Sequence, residues 1–256
     1  MGVYKVNTIS QVQVIEFVNS NITDFHGKRL QILSKLTLHK LIDKNPYLFR
    51  AKNINLASEL IENTMSAFLS SSEEKVFGDF LEDLAIFIAG ITVNGHKSSA
   101  QGIDLEFINE SNHYLVSIKS GVNWGNSSQH KKMVEDFNNA VKRIKQSPHH
   151  ANPQPTLGIC YGKNKTTRHK NGYIHIVGQN FWTLISGNIE LYKEIIEPLG
   201  YRAKEHNEHY EHEKARISNV LTARFIQEFC NSKGEIDWPQ LVQANSGNYD
   251  LDKFIF

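Results

Sequence analysis

The chain is poor in several things, and each scarcity excludes something. Its two cysteines, Cys160 and Cys230, are too few for a disulfide framework and show no metal-ligand spacing, so both read as buried thiols. No apolar run approaches the roughly 20 residues that span a bilayer. The opening MGVYKVNTIS lacks the apolar stretch of a signal peptide. A soluble, cytoplasmic protein with no membrane partner is therefore expected. Internal repeats and low-complexity tracts are missing too. Net charge is only +1, which counts against a nonspecific DNA coat.

What is present is enough for a folded core: 256 residues, 40% apolar, with 14 Phe and 9 Tyr. Positive charge is concentrated rather than absent. His130, Lys131, Lys132, Lys142, Arg143, Lys145, Lys163, Lys165, Arg168 and Lys170 lie in one stretch against only Glu135 and Asp136. Such a cluster suits a local anionic partner or a solvated face.

Hydrophobic periodicity divides the chain. VQVIEFVNSNI and LSKLTLHKLI are apolar at helical intervals, Asn45 and Pro46 interrupt, and Leu60, Ile61, Thr64, Met65, Phe68 and Leu69 resume the pattern. SSSEEKVFGDFLEDLAIFIAG predicts a further helix with serine caps, an acidic first turn and Gly90 as its stop. The period then changes to two: ITVNG, GIDLEFI and HYLVSIKSG read as strands, with NESN as the hairpin turn between the last two. The loop GVNWGNSSQ leads into a helix from about 128 to 146, and SPHHANPQP reads as a break. LGICYG and GYIHIVG read as strands around the basic loop KNKTTRHKN, and helical patterns follow through 230. The expected fold is α/β or α+β, with a mixed central sheet flanked by helices.

Lys119, near the end of an otherwise apolar strand, needs a partner, because lysine is rarely buried alone. Asp104 and Glu106, two residues apart, share one face of GIDLEF. If NESN closes a hairpin, Asp104 sits near Ser117 and Lys119 at the same end. An acid and a lysine converging there suit metal-dependent phosphodiester hydrolysis: carboxylates hold Mg²⁺ and the lysine orients or activates a water. A buried ion pair closing the hairpin is the plainer alternative.

These residues resemble the PD-(D/E)XK nucleases, in which a helix bearing a glutamate precedes a hairpin whose second strand carries (D/E)-X-K. The match runs through Glu82 or Glu74, Asp104, and Lys119 in SIK. It departs at Ile103, where the proline stands, and at Ser117, where the second acid stands. A Ser-X-Lys variant among restriction enzymes takes the missing carboxylate from the following helix, and here that implies Glu135, with Asp136 adjacent and Glu106 as a further candidate. GIDLEF, YLVSIKSGVNWGNSSQHKKM, ICYGK and GQNFWTLISGNIELYKEIIEPLG together resemble a family of type II restriction endonucleases over roughly residues 73 to 245. The resemblance implies one nuclease domain over 1–256, with a helical layer (1–72), a catalytic core (73–185) and a helical C-terminal part (186–256).

It also implies a homodimer that cuts double-stranded DNA at a short palindrome of the GGNCC kind and leaves 5′-phosphates. A cognate DNA methyltransferase would belong to the same system without being a bound partner. Metal ligands would come from Asp104, Glu135, Glu82 and Glu106, with Ser117 hydrogen-bonding nearby. Asn123, Trp124, Asn126, Ser127, Ser128, Gln129, Lys131 and Lys132, with Arg168 and Lys170, suit contacts to phosphates and base edges. A repair or nicking nuclease of the same fold, or a noncatalytic DNA-binding module that has lost its acid, are the alternatives. The histidines of HNEHYEHE read as an exposed helix face rather than a zinc site.

Overall fold

The computed structural model describes residues 7–146, 152–247 and 249–255. In chain order the elements are α1 (Gln11–Ser34), α2 (Leu38–Ile42), α3 (Pro46–Ala51), α4 (Ala57–Thr92), β1 (His96–Lys97), β2 (Leu105–Asn109), β3 (Asn112–Gly121) and α5 (Ser127–Gln146). There follow β4 (Asn152–Tyr161), β5 (Thr167–Arg168), β6 (Ile174–Val177), α6 (Gln179–Ser186), α7 (Leu191–Glu194), α8 (Ile196–Leu199), α9 (Ala203–Phe229), α10 (Trp238–Ser246) and α11 (Asp252–Ile255). Among the described residues no helix is long and apolar enough to cross a membrane.

The chain divides into two compact units. Met1–Phe25 with Val76–Tyr201 form the first, and His26–Lys75 with Arg202–Phe256 form the second. The second unit is helical, with Leu33, Leu41, Ile61, Met65 and Phe225 at the centre of its core. Short helices there start on local caps: Thr37 accepts from the Lys40 amide, and Asn45 accepts from Leu48 with Pro46 next to it.

The first unit holds a mixed six-stranded sheet in the order β1-β2-β3-β4-β6-β5. β1, β2 and β3 pair antiparallel, β3, β4 and β6 parallel, and β5 closes the far edge antiparallel. Strand alternation sends Leu105, Phe107, Val116 and Ile118 into one core with Leu84, Ile88, Phe181 and Trp182. Leu115, Leu157 and Ile159 go to the other, against Met133, Phe137 and Ala140 of α5. This is the mixed sheet between helices that the residue pattern predicts.

Four local expectations are corrected. Ser71 and Ser72 do not cap a new helix; their hydroxyls donate to the carbonyls of Ala67 and Phe68, 3.1 and 3.0 Å away, inside the single 36-residue α4. Gly90 does not stop it either. The stop comes at Asn94, in the left-handed region at φ 54°, where the Gly95 amide donates to the Ala89 carbonyl over 2.8 Å. ITVNG is thus helix end and turn, not a strand. In SPHHANPQP, residues 147–151 lie outside the described residues, while Asn152–Pro155 open β4. Proline is tolerated there because β6 joins β4 only from Thr156 onward, so the first part of β4 needs no hydrogen bonds on that side.

Gly158 sits in the middle of β4, paired on both sides with Ile118 and Ile176. A Cβ built on it would lie 2.6 Å from Cδ2 of Phe181, which is fully buried and has nowhere to move. Gly158→Ala is expected to destabilise the protein by about 1–3 kcal/mol through overpacking. Thermal melting would read this as a Tm lowered by roughly 5 °C.

Candidate active site

The β2–β3 hairpin sets the geometry. Asn109 pairs with Asn112 across a two-residue turn, with Glu110 at φ 55°, and the register runs back to Leu105 opposite Val116. One step further, the Asp104 amide donates to the Val116 carbonyl at 2.8 Å. Asp104 therefore faces Ser117. Its Oδ2 accepts from the Ile118 amide at 2.6 Å and from Ser117 Oγ at 3.4 Å, and lies 3.5 Å from Lys119 Nζ. Among the described residues no hydrogen bond reaches its Oδ1. Lys119 Nζ donates to the Ile118 carbonyl at 2.6 Å and lies 5.7 Å from the centroid of Trp124. Side chains 21% and 31% exposed leave both Asp104 and Lys119 reachable from solvent.

Glu82 comes to this pair from α4. Burial pushes its carboxyl above the usual range, and the Asp104 charge pushes it further, against the opposing pull of Lys97 and Lys119. Lys97 Nζ lies 3.5 Å from its Oε1. The Cys160 thiol belongs to the same neighbourhood: burial raises its pKa most, the Glu82 charge adds to this, and Lys119 opposes it. Both carboxylates offer the hard oxygen donors that Mg²⁺ takes, and that ion needs few protein ligands because it keeps several waters. Among the described residues no cluster of three or more His, Cys, Asp or Glu is arranged to hold a metal.

The remaining acids have other surroundings. Glu106 is buried and accepts from Arg143 Nη2 at 2.6 Å, contacts His113 Nε2 at 2.9 Å and takes the Ser98 hydroxyl. Burial alone would raise its carboxyl, but Ser98, Arg143 and His113 together hold it below the ordinary range. Glu135 is exposed on α5, whereas Asp136 turns inward beside Met133, Phe137 and Ala140 and pairs with Lys132 at 2.8 Å. A Cβ on Gly102 would lie 2.8 Å from Asp136 Cγ, so this acid packs against the chain two residues before Asp104. Glu74 is exposed and falls in the second unit.

In the polar loop, Asn126 Oδ1 accepts from the amides of Ser128 and Gln129, both at 3.1 Å, and Gln129 Oε1 accepts from the Asn126 amide at 2.8 Å. This reciprocal cap starts α5 and engages both side-chain oxygens. Trp124 is half-buried against His130, with ring centroids 4.2 Å apart. Asn123, Ser127, Ser128, Lys131 and Lys132 are exposed. Arg168 and Lys170 are exposed on and beside edge strand β5, and Arg168 donates to Gln154 at 3.3 Å. From Phe137 to Ile189 the sequence contains no acid. His209 and His212 are exposed on α9, while His206 stacks on His26 at 4.3 Å.

The hairpin thus brings together Asp104, Ser117 and Lys119, with Glu82 close enough to feel the Asp104 charge, and gives Glu106 a separate set of partners. The Arg143 and His113 contacts to Glu106 went unread in the sequence, and only their coming together in the fold reveals them. Asp136 was legible: α5 turns 133, 136, 137 and 140 to one side.

A mixed sheet between helices with an acid and a lysine at the end of a central hairpin is consistent with a restriction-endonuclease-like α/β protein. A family model described as type II restriction endonuclease EcoO109I matches residues 12–207, and the chain belongs to that family. No curated protein matches it. Membership makes it a nuclease, a hydrolase that acts on double-stranded DNA.

The Glu106 network gives a stability prediction with a definite sign. A carboxyl held low in the folded state contributes stability above its unfolded value and loses it as pH falls through the folded one. Glu106→Gln is expected to cost roughly 3 kcal/mol at pH 7, because Arg143 and His113 lose a buried counter-charge. It should also flatten the loss of Tm on acidification below about pH 4.5. Melting curves of both proteins between pH 7 and pH 3 test this.

Proposed function

We propose that the protein is a type II restriction endonuclease of the PD-(D/E)XK group, in its Ser-X-Lys form. It hydrolyses both strands of double-stranded DNA at a short palindromic site, of the GGNCC kind, and leaves 5′-phosphates. The observation that carries this reading is Lys119 Nζ 3.5 Å from Asp104 Oδ2 at the solvent-reachable end of the hairpin. A homodimer goes with a palindrome, because two sites related by a twofold axis cut two strands. Cytoplasmic location and a cognate methyltransferase of the same system, not a bound partner, complete the reading.

Asp104 and Glu82 are the residues that would hold Mg²⁺. When bound, that ion supplies charge neutralisation of the phosphate and a lowered pKa for a water. Glu82 is favoured over Glu135 by the Asp104 charge it feels, whereas Glu135 stands exposed on α5. Glu106 is already held by Arg143, His113 and Ser98. Asp104 is oriented by the Ile118 amide, which fixes Oδ2; among the described residues Oδ1 makes no hydrogen bond. Lys119, with Nζ 3.5 Å from Asp104 Oδ2, would orient the attacking water and stabilise charge developing on the phosphoryl oxygens. The leaving 3′ oxygen takes a proton from solvent. The exposed cations, Lys131, Lys132, Arg168 and Lys170, and the polar side chains of Asn123, Ser127 and Ser128 suit DNA contacts.

The absence of an acid at Ser117 favours, as a second reading, a module that binds DNA without cutting. Incubating sequenced phage DNA with the protein and Mg²⁺ separates the readings. Discrete bands with mappable ends are expected; nicks or smears indicate a repair-type nuclease, and tight binding without cutting indicates the module. Asp104→Asn and Lys119→Ala should each slow cleavage at least about 10³-fold while gel-shift binding survives. Cutting at the wild-type rate by either variant contradicts the assignment.

A further inference from the structure

β3 and β4 run parallel and end side by side, with Gly121 paired to Tyr161 and Lys119 to Ile159. Ligands of parallel sheets gather outside these carboxyl ends. Gly121 is two residues past Lys119, so it lies on the same face of β3, about 7 Å further along. A Cβ on Gly121 would lie 2.8 Å from both Cζ and Oη of Tyr161. The phenol tip of Tyr161 therefore crosses the strand that carries Lys119, through the space the missing side chain leaves. The residue is 57% exposed, and among the described residues its hydroxyl makes no hydrogen bond. Exposed Lys163 and Lys165 follow directly, in the stretch without acids.

An exposed aromatic with a spare donor, beside a half-buried lysine amine and a basic loop, is suited to a sugar–phosphate backbone, which tyrosine hydroxyls commonly contact. Along one strand the duplex rises about 3.4 Å per nucleotide, so a group about 7 Å from Lys119 meets the backbone within roughly two nucleotides of the cut. We propose that Tyr161 is a substrate-binding residue, its phenol donating a hydrogen bond to a phosphate of the cleaved strand next to the scissile one. This rests on the nuclease reading above. The plain alternative is packing, since Tyr161 also rims an apolar pocket of about 450 Å³ with Cys160, Trp182 and Leu199.

Steady-state cleavage of a duplex carrying the site mapped by digestion decides between them. Tyr161→Phe is expected to lower kcat/KM roughly ten-fold, mainly through KM, because a phosphate contact is made alike before and during reaction. Its Tm should match the wild type. Gly121→Ala is expected to raise KM to a similar degree by displacing the phenol tip, and to add nothing in a Tyr161→Ala background. Unchanged KM in Tyr161→Phe overturns the proposal, as does a Gly121→Ala cost that is equal in both backgrounds. A wild-type protein that does not cut at all overturns the nuclease reading itself, which keeps the two failures distinct.

Discussion

One carboxylate oxygen, Asp104 Oδ2, ties the site together. It takes the Ile118 amide at 2.6 Å, the Ser117 hydroxyl at 3.4 Å and the approach of Lys119 at 3.5 Å. An anion that accepts from a backbone amide is held in place more firmly than a side chain on a flexible loop, because a charge-assisted bond is roughly twice as strong as a neutral one. The carboxylate thus stays at a fixed point of the sheet while its other oxygen remains open. Lysine is tolerated at the end of an apolar strand for the same reason: its charge has a partner, and its stem lies along the strand.

Electrostatics then sorts the acids. Glu106 shares a sheet face with Asp104 but is neutralised by Arg143 and His113, so it fastens α5 to the hairpin. Glu82 faces a like charge in partly buried surroundings, and the lysines only partly offset it. Like charges held close are unfavourable unless something positive is shared between them.

Much of this was legible in the sequence, for local reasons. The hairpin showed itself through alternation and the NESN turn, and the hairpin alone places Asp104 opposite Ser117. The paired Asn126 and Gln129 that start α5 are a local signal of the same kind. Other features depended on tertiary context. Serines that can bond back to their own helix are indistinguishable from caps until the helix on both sides is seen, which is why α4 ran on through Ser70–Ser72. Prolines look like a break until the neighbouring strand proves to be missing on that side of β4. Glu135 and Asp136 differ by one residue of helical phase, which leaves the first exposed and the second buried, and the Arg143 contact to Glu106 joins residues that only folding brings together.

The central proposal is that Asp104 and Glu82, beside Lys119, hold a divalent ion. Crystals soaked in Mn²⁺ and measured at the manganese edge test it most directly. The account predicts an anomalous peak at the Asp104 and Glu82 carboxylates. A peak held by Glu135 or Glu106 without Asp104, or Glu82 turned away from Asp104, would contradict it.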